Sequence, residues 1–106
     1  MENNIKYTPN PIINIESEYN KSLYEKVGFF KTNYPLTQMG LYQFLKKEKN
    51  IDILFTSLIN NKWIYQAIDK NDNDNPFTED FTEYDSFNTM MNSAILECFA
   101  YLSLQK

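Results

Sequence analysis

The chain has 106 residues, 42% apolar and 16% aromatic, enough for one domain that buries roughly two thirds of its unfolded surface. Its formal net charge is −4 with no arginine, a poor balance for gripping a phosphate backbone. It has no histidine and a single cysteine, Cys98, so the usual general base, the usual zinc ligand and an intramolecular disulfide are all excluded.

Alanine occurs only at positions 67, 94 and 100, while asparagine, isoleucine, lysine, tyrosine and phenylalanine abound. This bias reads as an AT-rich coding origin. The charge is unevenly spread. Residues 1–62 hold eight lysines against six acids, and residues 63–106 hold two lysines against eight acids. A lone thiol suits a reducing cytoplasm, and the N-terminus shows no basic start leading into an apolar run. The most apolar stretch, Ala94 to Leu104, is about half the length of a membrane span and is interrupted by Glu97, so a soluble, cytoplasmic protein is expected.

Residues 1–15 read as an extended arm, because Pro9 and Pro11 push their predecessors out of helical geometry, and "PIINI" within it reads as a candidate short edge strand. Residues 16–106 read as one α+β domain. A helix is expected from Glu16, with Tyr19, Leu23, Val27 and Phe30 at helical spacing and Gly28 at its end. A second is expected from near Pro35 to Lys49, with Met39, Tyr42 and Leu45 on one face and lysines in the last turn. "IDILFTSL" and "KWIYQAID" read as two strands of a β-hairpin around residues 59–62. Ile51, Ile53 and Phe55 share one face of the first strand, and Leu54 and Leu58 the other. Either helices cover both sides, or one side is kept for a partner. Phe87 to Leu104 reads as a final helix capped by Asn88 or Thr89, apolar nearly all round and so central to the core or shared with a second subunit. The order helix-helix-strand-strand-helix, with the hairpin packed on helices, defines the class.

Between hairpin and final helix, Ile68 to Asp85 carries seven carboxylates and one lysine. Read as a calcium loop from Asp69, it places Asn71, Asn73 and Asp80 suitably, but has Asp74 where the turn needs glycine and Pro76 at the eighth position. No metal site is expected. Two readings remain open: a solvated connection, or an acidic rim that docks on a basic protein. The docking reading nominates Asp72, Asp74, Phe77, Glu79, Asp80, Phe81, Glu83, Tyr84 and Asp85. Lys46, Lys47 and Lys49, beside Tyr42 and Phe44, form the alternative, a nucleic-acid-binding patch.

Catalytic equipment is sparse. Cys98 lies in an apolar helix without a basic neighbour, and the only glycines, Gly28 and Gly40, make no phosphate loop. A carboxylate pair such as Asp80 and Glu83 is conceivable, but nothing singles it out. No enzyme activity and no cofactor are expected. Seventeen aromatic residues exceed what one small core readily encloses, which points to a surface shared with another macromolecule.

"MGLYQFLKKEKN", the hairpin "IDILF…KWIYQAID" and the "FNT" opening of the last helix (Phe87, Asn88, Thr89) resemble small phage- and prophage-encoded proteins of Bacteroidetes-type bacteria. Those relatives carry glutamates where this chain has Met90, Met91 and Asn92, a departure that makes the helix more apolar. Small, acidic, aromatic-rich proteins of this kind resemble anti-defence proteins, above all anti-CRISPR inhibitors. The resemblance implies a non-catalytic inhibitor that binds a host defence nuclease, as protein or ribonucleoprotein, with the RNA-targeting type VI-B effector as the natural target. It implies no direct nucleic-acid contact. An immunity protein against a bacterial toxin, or a phage structural or regulatory domain that self-associates as a homodimer, fits the same profile.

Overall fold

The computed structural model describes residues 14–78 and 82–105. Its elements are α1 (Glu18–Val27), a 3₁₀ turn (Phe29–Lys31), α2 (Gln38–Glu48), β1 (Ile51–Ser57), β2 (Trp63–Asp69), β3 (Asn75–Pro76) and α3 (Phe87–Ser103). The fold is α+β, with the expected helix-helix-strand-strand-helix order. A third, two-residue strand emerges inside the acidic stretch, where no apolar alternation announces it. Most of the arm, residues 1–13, lies outside the described residues.

Three hydroxyl side chains start the helices. Ser17 Oγ accepts from Asn20 N, Thr37 Oγ1 from Gly40 N and Ser86 Oγ from Thr89 N. The last helix is therefore capped by Ser86 rather than by Asn88 or Thr89, since Ser86 holds the extended backbone (φ −142°) that a cap requires. The second helix begins at Gln38, three residues beyond Pro35. The Pro35 carbonyl accepts from Thr37 N at 2.9 Å in a turn that precedes the helix. That carbonyl also explains Gly40, where a Cβ would stand only 2.0 Å from it. Gly28 ends α1 with a left-handed φ of 92°.

Asparagine has a conformational role here. Asn50 (φ 59°), Asn61 (66°), Asn73 (56°) and Asp74 (57°) take the left-handed positions that the two glycines do not supply. Asn50 turns the chain from α2 into β1, and Asn61 closes the hairpin turn, where Asn61 N donates to Leu58 O at 2.9 Å.

The sheet is antiparallel, in the order β1-β2-β3, with Ile51 opposite Asp69 and Ser57 opposite Trp63. Ile51, Ile53, Tyr65, Ala67 and Asp69 point to one side and are buried. α2 packs against β1 there and α3 against β2, with α1 lying on α3. Helices thus cover one side of the sheet. The other, carrying Leu54, Thr56, Ile64 and Gln66, has no element over it among the described residues. α3 is apolar all round because it touches β2, α1 and α2 at once. Met90 and Met91 are buried, and Asn92 accepts from Gln38 Nε2 at 2.8 Å.

Much of the aromatic excess is internal. Tyr24, Phe29, Phe44 and Phe99 form one cluster, with the Phe44 and Phe99 rings stacked 5.7 Å apart and Tyr24 edge-on to Phe99 at 4.8 Å. Tyr24 keeps its hydroxyl satisfied by donating to Ile15 O at 2.7 Å.

Candidate docking surface

The acidic stretch starts on the last residue of β2. The alternation Tyr65, Ala67, Asp69 places Asp69 on the helix-facing side of the sheet, and it is buried with only 6% of its surface exposed. Its carboxylate takes the Tyr101 hydroxyl at 2.8 Å on one oxygen and Asn71 N at 2.9 Å on the other. Its carbonyl accepts from Asp72 N at 3.1 Å, and Asp72 O accepts in turn from Asn75 N at 3.0 Å. Asn71 Nδ2 reaches back to Lys49 O at 3.0 Å. A segment rich in Asn and Asp is thereby held in one shape by its own polar groups. Asp69 is the anchor of this rim, not part of its outer face.

Asp72 and Asp74 stand exposed at the tip. Neither meets a lysine among the described residues. Asp72 Oδ2 accepts from Asn75 Nδ2 at 3.2 Å, which fixes its direction without neutralising its charge. Further along, Phe77 is half-buried and stacks on Tyr101, the ring centroids 3.8 Å apart and 8° from parallel. Thr78 is buried, its Oγ1 accepting from Ala67 N at 3.2 Å. Glu79, Asp80 and Phe81 lie outside the described residues. Glu83 and Asp85 are exposed, the first accepting from Asn60 Nδ2 at 3.5 Å and the second paired with Lys62. Asp85 raises the Lys62 pKa through that bond.

Tyr84 differs from its neighbours. Its ring is 5% exposed and lies beside Tyr65, while its backbone pairs with Trp63 in both directions at 2.8 Å. It therefore seals the sheet and presents no ring to a partner, which corrects its nomination as a contact residue. The acidic rim has two described parts, Asp72 and Asp74 beyond the Asp69 end of β2, and Glu83 and Asp85 flanking Tyr84 at the Trp63 end.

Of the lysine alternative, Lys46 and Lys47 are exposed and Tyr42 and Lys49 half-buried. Lys46 pairs with Asp52 at 3.4 Å, and the Lys49 ammonium sits 5.9 Å from the Phe44 ring centre. Phe44 itself is buried and unavailable for stacking on a base. The braced acidic turn, joined to Lys49 O through Asn71, adjoins this helix end.

The remaining chemistry is inward. The Tyr65 phenol donates to the Glu97 carboxylate, and burial together with that bond pushes its pKa far above the usual range. Cys98 is fully buried, and burial, then the Glu97 charge, holds it as a neutral thiol. Ser93 Oγ is buried beside Tyr84 without full hydrogen-bond geometry to any described group. Among the described residues no three His, Cys, Asp or Glu side chains are grouped to hold a metal, and no helix is long and apolar enough to cross a membrane. Comparison with protein-family models, with curated proteins and with solved structures finds no match for this chain.

Proposed function

We propose that this protein acts by binding, as an anti-defence inhibitor of the anti-CRISPR kind, and that its acidic rim docks on the basic face of a host RNA-guided nuclease. The observation that carries this reading is the braced turn from Asp69 to Asn75. It holds Asp72 and Asp74 outward in a fixed geometry with no cation offsetting them among the described residues. A pre-ordered row of carboxylates loses little conformational entropy on docking and speeds encounter with a basic channel. Effectors that hold a guide RNA present such channels. The type VI-B class is the target that the resemblance nominates.

The test uses a purified, guide-loaded type VI-B nuclease. The protein should bind it and suppress target-RNA cleavage. Asp72→Lys with Asp74→Lys should weaken inhibition by about tenfold or more, and added salt should weaken the native interaction. Cleavage unaffected by the native protein overturns the target. Inhibition unaffected by the double reversal overturns the rim.

A further inference from the structure

The sheet's two edges are built differently. On the far side of β2, β3 pairs with Asp69, the Thr78 hydroxyl and Phe77 N take the backbone groups of Ala67, and Tyr84 bridges to Trp63. Pro76 and the acidic turn then close that edge to further pairing. On the near side, β1 runs seven residues, "IDILFTS", without a proline or a lysine. Leu58 N donates to Lys62 O, and Lys70 N to Asn50 O. In an antiparallel ladder these two bonds assign the backbone groups of Asp52, Leu54 and Thr56 to β2. Those of Ile51, Ile53, Phe55 and Ser57 are directed away from the sheet, and among the described residues no other strand or turn pairs with them.

Apolar surface flanks this open edge on both faces. Leu54 is 46% exposed on the uncovered side of the sheet. On the helix side Phe55 is 42% exposed and Met39 60%, and the two border a cleft shared with Tyr42, Phe87 and Met91. Single exposed apolar residues are ordinary. A long unpaired strand with apolar side chains on both of its faces is what natural sheets avoid unless something pairs with it.

We infer that a second copy of this chain occupies the β1 edge, pairing antiparallel about a two-fold axis at Leu54 to make one continuous sheet. The strand is self-complementary in that register. All seven residues overlap, Ile51 facing Ser57, Ile53 facing Phe55, and Leu54 facing its own counterpart at a closely spaced, non-hydrogen-bonded position. Asp52, the only charge on the strand, faces Thr56 and keeps Lys46 as its neighbour, so no like charges meet across the joint. A two-fold centred on Ile53 or Phe55 instead leaves strand ends unpaired. The acidic rim sits on the opposite edge, with β2 intervening, so the negative charge of each copy lies away from the joint. This inference is independent of the proposed target.

Sedimentation or light scattering on the full chain across the micromolar range tests it, with a mass of two chains expected. Leu54→Lys places two ammonium groups face to face at the axis and should return the monomer mass with an unchanged far-ultraviolet spectrum. Under mild oxidation Leu54→Cys should cross-link into dimers, because Cα atoms at such a position are about 4.5 Å apart. Thr56→Cys, which faces Asp52, should stay monomeric on denaturing gels, and the buried Cys98 should contribute nothing to either. A native protein that remains a monomer overturns the inference. So does equal cross-linking at both positions, or dimerisation that begins only when residues 1–13 are removed, which makes that segment the occupant of the edge.

Discussion

β2 is bordered by two neighbours that reach order by opposite means. β1 is held by a full ladder of seven residue pairs and by Ile51 and Ile53 sunk into the helix layer. The segment on the other side pairs over two residues, and is fixed by a buried carboxylate, a buried hydroxyl and a ring stacked on α3. A stretch so charged cannot bury itself. It takes its shape from a few polar anchors whose partners belong to the core. Order on the β1 side is therefore inseparable from the stability of the domain, and order on the acidic side is local.

The strongest way to break this contrast is through the core. Ile53→Ala should cost about 2–4 kcal/mol, because the side chain is fully enclosed and the site collapses only in part. Urea denaturation should show one cooperative loss, with amides of both flanks losing protection together. Asp69→Ala sharpens the contrast with a smaller effect. It leaves the Tyr101 hydroxyl and Asn71 N without their acceptor, at a cost of about 1–3 kcal/mol. Amide exchange should then accelerate at Asn71 to Asn75 and stay unchanged in β1. Equal acceleration in both segments removes the distinction between them.

The two flanks also differ in how far the amino-acid sequence announces them. The alternation of Ile51, Ile53 and Phe55 and the asparagines of the turn announce the hairpin, since period-two burial and positive φ are local properties. The braced acidic flank is nearly silent. Asp69 counts as one more carboxylate in a charged run until its phase with Tyr65 and Ala67 is followed past the apolar residues, which is the one signal that finds it. Tyr84 reads as an aromatic among exposed acids. Only its pairing with Trp63, across a gap in sequence that no local pattern spans, draws it inside. Ser86 was legible as a cap, standing three residues before Thr89, but the neighbouring Asn88 and Thr89 are equally good capping types and only backbone geometry separates them.

The finest probe is the bond from Tyr101 to Asp69. The carboxylate that accepts this bond, aided by burial, pushes the Tyr101 phenol up to about 12 from the ordinary tyrosine value of about 10. The group is thus raised on folding, so its contribution to stability is complete below about pH 10 and is lost as pH climbs through about 12. Tyr101→Phe keeps the ring stacked on Phe77 and deletes the bond, with an expected loss of about 1 kcal/mol at neutral pH. Tyr65, raised by burial and by Glu97, titrates in the same direction in both proteins, so the readout is the gap between their stability curves. Urea midpoints measured at successive pH values should show that gap constant up to about pH 10 and shrinking as pH rises above it. A gap that persists unchanged into strong alkali means that the hydroxyl's bond to Asp69 is not what braces the turn.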